Sequence, residues 1–387
     1  MKILIATDCY TPMINGVVTS VINLETQLRR IGHEVKILCP AQNLHGEDDG
    51  TVVRIGSVGT GRHCNGTRVA WCFRKENLQK LINWKPDIIH TQSEFFIFAM
   101  AKKIASAVGC PIVHTYHTIY ENYTHYFSPS VALGRKAVVA MTRHVLHNTE
   151  AVIAPTPKVE SLLLSYGITK PIYVIPTGLD LQRFEKRFPA EQIAELKNSL
   201  GIQLNKKVLL TVGRVAKEKN LDELIRYFAR ISNPDIILCI VGGGTYLDEL
   251  KHLARETGTA DRIIFTDAVQ PENIPLYYQT GDVFLSASQS ETQGLTYLEA
   301  MASGLPLVCR NDPCLSGVVT NGINGGLYNS YEEFEKWINF VLDEQSHSDK
   351  LSLNAVQAAN QFSSAAFAEK VLNMYKQVLK KQQLRIA

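Results

Sequence analysis

The sequence predicts an α/β protein made of two doubly wound, Rossmann-like domains, and three observations lead there. Short runs rich in Val, Ile and Leu recur along the 387 residues, each followed by a segment with apolar positions three and four apart. The runs lack polar alternation, as strands covered on both faces of a parallel sheet do. The pattern breaks once, at the polar stretch LDLQRFEKRFPAEQIAELKNSLGIQLNK after the turn Pro176-Thr177-Gly178, and then restarts. Domains are therefore expected over 1–180 and 181–387, with a cleft between the carboxyl ends of their sheets as the default ligand site.

In chain order, the first half offers KILIATD (2–8), HEVKILCP (33–40), PDIIHTQ (86–92), PIVHTYH (111–117), AVIAPT (151–156) and IYVIPTG (172–178) as strands. The second offers KVLLTVGR (207–214), DIILCIVGGG (235–244), RIIFTDAV (262–269), VFLSASQS (283–290) and LPLVCRND (305–312). Helices such as LDELIRYFARI and YLDELKHLARETG sit between them. A last basic amphipathic helix, roughly 365–383, could pack on either domain.

Composition narrows the class. A content of 45% hydrophobic and 20% charged residues suits an ordinary globular chain, and the longest apolar run, Phe95 to Ala101, is too short to cross a bilayer. The opening MKILIATDCYTP reads as a buried strand and not as a secretory leader. Eight scattered cysteines with no CxxC pair indicate neither a disulfide framework nor a zinc ribbon, and a reducing cytoplasm is the simplest setting. The net charge of +3 hides an asymmetry: residues 1–180 hold 18 Lys and Arg against 13 Asp and Glu, and nine of the eleven histidines. An anionic surface is the partner that excess would meet, although a solvated face explains it equally well.

The chemistry concentrates in SETQGLTYLEA, which follows the strand VFLSASQS and opens a helix. A helix beginning near Gly294 turns the amides of Gly294, Leu295 and Thr296 outward as a seat for phosphate. Glu291 lies ahead of the helix and Glu299 inside it, so the two flank that seat, and two carboxylates suit a polyhydroxylated ligand such as a sugar nucleotide. The plainer alternative is a capping acid and a surface helix residue. Arg214, at the end of KVLLTVGR, and Lys219 form a pair that could neutralise a departing diphosphate; a solvated charge run is the alternative. No Asp-x-Asp pair suits a divalent ion, the acidic EDD at 47–49 looks like a solvated turn, and no obligatory metal is expected. His114 and His117 are three apart and should face opposite sides of a strand; His117, at its end, could bond a sugar hydroxyl, and His114 reads as a core residue. Gly16, between the first strand and a helix, permits close backbone approach to phosphate. The GGG at 242–244 reads as a tight turn, since GxGxxG is absent from both places.

As a set, Asn15-Gly16, His117-Thr118, Arg214 with Lys219, Glu291 and Glu299 in a Glu-x7-Glu pattern, and the trailing MASGLPLV resemble the retaining glycosyltransferases of family 4, which have the GT-B fold. The resemblance spans essentially the whole chain. It implies that Arg214 and Lys219 hold the diphosphate, Glu299 the ribose and Glu291 the transferred sugar. It further implies that backbone from Gln293 to Thr296 reaches sugar and phosphate, that His117 sits by the sugar, and that Asp267 to Val269 receives the base. Many members have a second glycine where this chain has Val17. The stretches HTYHTIYENYTHYF and TRHVLHNTEAVIAPT look like bacterial 1,2-diacylglycerol 3-α-glucosyltransferases, peripheral proteins that make glucosyl-diacylglycerol for membranes and lipoteichoic acid anchors.

The resemblance thus implies a UDP-glucose or other UDP-sugar donor, a diacylglycerol acceptor, an anionic membrane surface at the cytoplasmic face, no obligatory cofactor and no nucleic acid. FFIFAMAKKIASAVG and LGRKAVVAMTRHVLH mix apolar faces with cations as interfacial helices do, and as ordinary Rossmann helices also do. A soluble sugar acceptor, a UDP-sugar epimerase and a non-catalytic nucleotide-sugar sensor stay open beside the lipid acceptor.

Overall fold

The computed structural model describes residues 1–59, 68–70, 75–126, 130–343 and 345–386. The expected cysteines Cys64 and Cys72, and Phe127 of the aromatic stretch, lie outside them. The chain divides into two compact units, residues 1–179 with 364–387, and residues 180–363.

The first unit runs β1 (Lys2–Ala6), α1 (Gly16–Arg30), β2 (Glu34–Pro40), β3 (Glu47–Asp48), β4 (Val52–Ile55), β5 (Ser57–Gly59), β6 (Arg68–Ala70), α2 (Lys75–Trp84), β7 (Ile88–Thr91), α3 (Phe96–Val108), β8 (Ile112–Thr115), α4 (Val131–His147), β9 (Ala151–Ala154), α5 (Pro157–Ser165) and β10 (Ile172–Val174). Its main sheet has the order β10-β9-β8-β7-β1-β2-β4-β3 and is parallel except at the β3–β4 pair. Strand β3 contains Glu47 and Asp48, so the EDD segment is only partly the turn expected of it; Asp49 makes that turn, its carboxylate accepting the amides of Thr51 and Val52.

Alternation along β1 shows why the strands look apolar throughout. Ile3 and Ile5 face one layer, with Val21, Leu24 and Leu28 of α1; Leu4 and Ala6 face the other, with Ile97, Met100 and Ile104 of α3. Each buried aliphatic side chain contributes about 1.5–3 kcal/mol relative to exposure. The helix FFIFAMAKKIASAVG, whose sequence fits an interfacial and an ordinary Rossmann helix alike, is a core helix. Ile97, Phe98, Met100, Ala101 and Ile104 are buried, and only Phe95 and Phe96 expose large apolar surface.

The second unit runs α6 (Leu181–Glu185), α7 (Ala190–Ser199), β11 (Lys207–Val212), α8 (Leu221–Phe228), β12 (Ile236–Val241), α9 (Leu247–Glu256), β13 (Ile263–Phe265), α10 (Ile274–Tyr278), β14 (Val283–Ser286), α11 (Leu295–Ala302), β15 (Leu307–Arg310), β16 (Gly325–Tyr328), α12 (Tyr331–Leu342) and α13 (Gln345–Ala359). Its sheet is parallel in the order β13-β12-β11-β14-β15-β16. The last helix, α14 (Ser364–Ile386), belongs to the first unit, where Phe367, Val371, Met374, Tyr375 and Val378 join α1 over the sheet.

Both sheets contain a point where the strand order reverses. In the first unit it lies between β1 and β7, in the second between β11 and β14. Loops leaving the carboxyl ends of two such strands diverge to opposite faces and leave a crevice.

Candidate active site

The second unit's crevice is lined by the loops after β11 and β14. Arg214 and Lys219 come from the first loop and Glu291 from the second. The Lys219 ammonium donates to Glu291 Oε1 at 2.5 Å, a charge-assisted bond between residues 72 apart in sequence. Arg214 is held by Glu218, Nη2 to Oε1 at 2.6 Å, and Ser290 Oγ donates to the Glu218 carbonyl at 3.0 Å, tying the two loops together. Both cations thus face carboxylates that an anionic ligand could displace.

The turn that delivers Lys219 is braced from behind. Asn220, in the left-handed region at φ 53°, donates to Glu223 at 3.1 Å and to the Ala287 carbonyl at 3.4 Å. Arg310, at the end of β15, donates to both oxygens of Glu223 at 3.2 and 3.1 Å. None of Glu218, Glu223 and Arg310 has a spacing that marks it in the sequence, because each acts through a contact made only on folding.

The glycine stretch does more than turn the chain. A Cβ on Gly242 would lie 2.0 Å from the Gly213 carbonyl oxygen, and one on Gly244 2.0 Å from that of Val215. The Val215 amide donates to the Gly243 carbonyl at 2.9 Å. The glycines let this loop seat directly against the backbone on either side of Arg214.

Helix α11 begins just past Glu291. Gly294 precedes it at φ 75°, where a Cβ would also collide with the Tyr297 ring at 2.3 Å. Glycine is thus required twice over for the loop to turn into the helix, whose first-turn amides at Leu295 and Thr296 have no acceptor within it. Gln293 is buried. Glu299, one turn into the helix, accepts the Tyr278 hydroxyl at 2.8 Å, and burial raises its pKa. The two acids therefore differ: Glu291 is salt-bridged, Glu299 desolvated beside a phenol. Val269 is half-buried in the loop after β13, where Asp267 adopts φ 57°.

In the first unit, Gly16 is the first residue of α1, whose cap is Asn15, Oδ1 accepting the Val18 amide at 2.9 Å. His117 lies just past β8 and bonds Gln92, Nε2 to Oε1, at 2.6 Å. Burial, with His114 adding, lowers its pKa to about 3, so the ring is neutral near pH 7. His114 is a core residue as expected, with Thr91 Oγ1 at 2.8 Å on one nitrogen and Glu94 at 3.3 Å on the other.

No motif in the sequence marks the residues after β1 and β7, the two strands that flank this unit's own crevice. Asp8, after β1, accepts the amides of Phe95 and Ile97 at 3.3 and 3.2 Å, and burial raises its pKa to about 6. Glu94, after β7, is buried and accepts the Tyr120 hydroxyl at 2.5 Å. Their position after the two strands at the order reversal is the feature that could have singled them out.

The comparisons with known proteins agree with this architecture. Residues 14–183 match the model of Glycosyltransferase Family 4, and residues 192–358 that of Glycosyl transferases group 1. The chain is 36% identical to the alpha-monoglucosyldiacylglycerol synthase of Streptococcus pneumoniae over 332 residues, 85% of this chain and 75% of that protein. It is 32% identical to the synthase of the same name from Acholeplasma laidlawii, over 100% of this chain and 99% of that one. Among solved structures, Anabaena HepE in complex with UDP and glucose superposes with a TM-score of 0.76 at 19% identity, covering 97% of this chain and 100% of HepE. Sucrose-phosphate synthase from Thermosynechococcus elongatus gives 0.75 at 20% identity, covering 98% and 99%. The chain belongs to the family 4 glycosyltransferases, and is a hexosyltransferase of the GT-B fold.

Proposed function

We propose that the protein transfers glucose from UDP-glucose to the 3-hydroxyl of 1,2-diacylglycerol with retention, giving α-monoglucosyl-diacylglycerol at the cytoplasmic face of the membrane. The observation that carries the donor half is the Lys219–Glu291 pair beside Arg214 and the start of α11, at the strand-order reversal of the second unit. The names of the two relatives at 36% and 32% identity support the acceptor. In this reading the second unit takes the nucleotide sugar and the first the lipid. Arg214, Lys219 and the amides of Leu295 and Thr296 hold the diphosphate, with Gly16 approaching it. Glu291, Gln293, Gly294 and His117 meet the sugar, Glu299 the ribose and Val269 the base.

The acceptor oxygen attacks the anomeric carbon from the side the phosphate leaves. A carbon–oxygen bond to the acceptor forms as the bond to phosphate breaks, and a phosphate oxygen takes the hydroxyl proton. The cations and helix amides stabilise the charge growing on UDP, so no side chain need act as a strong base. A covalent glycosyl adduct trapped on Glu291 would contradict this course.

No helix among the described residues is long and apolar enough to cross a membrane. Helix α4 supports attachment to its surface: Val131 and Leu133 are 73% and 63% exposed at its start, followed by exposed Arg135 and Lys136. The test is incubation with several UDP-sugars and mixed lipid vesicles, followed by product identification. Glucosyl-diacylglycerol from UDP-glucose is expected, with sedimentation on anionic liposomes. A changed sugar nucleotide without any acceptor, or transfer to a soluble sugar alone, would overturn the proposal.

A further inference from the structure

We propose that Gln92 is a positioning residue for His117: its amide holds Nε2 of the imidazole, so that Nδ1 is the atom offered to a substrate hydroxyl. The inference rests on the proposed role of His117 beside the sugar.

Strands β7 and β8 are parallel neighbours, with Thr91 opposite His114. Three successive residues at the end of β7 each bond a polar residue at the end of β8. His90 Nε2 meets Thr115 Oγ1 at 2.7 Å, Thr91 Oγ1 meets His114 Nδ1 at 2.8 Å, and Gln92 Oε1 meets His117 Nε2 at 2.6 Å. The first two pairs are fully buried. The third differs, because His117 lies two residues beyond the end of β8, where strand pairing does not dictate its partner. Gln92 is 3% exposed, and its own amide N–H is fixed on β1 by the Ala6 carbonyl at 2.8 Å. It therefore reaches His117 from an anchored backbone, at the strand-order reversal of its sheet.

The ring's protonation follows. Burial keeps His117 neutral near pH 7, and a neutral imidazole has one donor and one acceptor nitrogen. Donation from Nε2–H to the Gln92 oxygen leaves the lone pair on Nδ1, so His117 accepts a hydrogen bond from a hydroxyl and does not supply a proton. The titratable group that acts on it is His114, on β8; His117 in turn adds to the lowering of the buried His90, on β7. The Gln92 amide nitrogen has no hydrogen-bond partner among the described residues. Gln92 thus bonds His117 through its amide oxygen while the burial of its unpaired amide nitrogen carries a cost.

The experiment compares Gln92→Leu, Gln92→Glu, His117→Ala and the Gln92→Leu/His117→Ala double variant. Glucosyl transfer is measured against pH, with UDP calorimetry and thermal melting alongside. Gln92→Leu should lower kcat roughly tenfold, the scale of one lost hydrogen bond, with UDP affinity unchanged. It should add nothing to the loss already caused by His117→Ala. Gln92→Glu places a carboxylate against Nε2 and raises the His117 pKa. The charged ring then carries a proton on Nδ1, so transfer falls as pH drops through that pKa and returns above it, a limb absent from wild type. The 15N spectrum of the wild-type His117 ring should show the proton on Nε2. Additive losses in the double variant, a wild-type pH profile for Gln92→Glu, or a proton on Nδ1 would each overturn the proposal. If Gln92→Leu does not fold, the near-isosteric Gln92→Glu and the 15N spectrum decide. Wild-type protein that forms no glycolipid refutes the proposed function instead, and the 15N spectrum, which needs no turnover, still tests the tautomer.

Discussion

Two glutamates eight positions apart do different work because their surroundings differ. Glu291 neutralises Lys219 at the rim of the crevice, whereas Glu299 sits desolvated with the Tyr278 hydroxyl as its partner. Glu291→Ala should largely abolish transfer, by about a hundredfold or more, while leaving UDP affinity nearly intact. Glu299→Ala should weaken UDP itself, and calorimetry showing the reverse pattern would refute this division. The Glu-x7-Glu spacing and the Arg214 to Lys219 interval were legible in the sequence because each is a local pattern attached to a strand end. Glu218, Tyr278 and Gln92 were not, since each matters through a neighbour 4 to 25 residues away.

At the scale of elements, close backbone approach decides more than side-chain chemistry. Gly244→Ala would drive a methyl group into the Val215 carbonyl and push the loop away from Arg214. We expect a loss of about 1–3 kcal/mol in urea denaturation together with weaker UDP binding; an unchanged midpoint and affinity would show that the two loops do not depend on each other. The strands flanking this loop were readable from their apolar runs. Strand β16, GGLY at Gly325–Tyr328, was not, because it lacks β-branched residues and two of its four positions are glycine. Helix α3 shows the converse: its Lys102 and Lys103 fit a membrane surface as readily as an ordinary Rossmann helix, and six of its apolar side chains are core.

For the whole molecule, the C-terminal helix is what sequence periodicity left undecided, because an amphipathic helix fits any apolar face. It returns to the first unit, where Tyr375 bonds the buried His90 at 2.6 Å. A chain ending at Ser363 uncovers that face of the sheet and should lose hydrogen-exchange protection across β1 to β10; retained protection would mean that α14 is dispensable. His90 is also a source of acid sensitivity. Its pKa lies well below the ordinary 6.5 because the ring is buried, so below that pH the unfolded chain binds a proton that the folded chain does not. Stability from this group is present above pH 6.5 and is lost as pH falls, by up to about 1.4 kcal/mol per unit. Asp8, with its pKa raised to about 6, acts in the opposite direction between that value and 3.8. The stability lost between pH 8 and pH 5 should therefore be smaller in His90→Phe than in wild type, as measured by urea denaturation; an equal loss would remove His90 from the account. The central claim, that a diphosphate is gripped at the reversal between β11 and β14, is tested most directly by calorimetry of UDP and uridine against wild type, Arg214→Ala and Lys219→Ala. Each substitution should weaken UDP roughly ten- to a hundredfold and leave uridine unchanged; wild-type UDP affinity in both variants would contradict it.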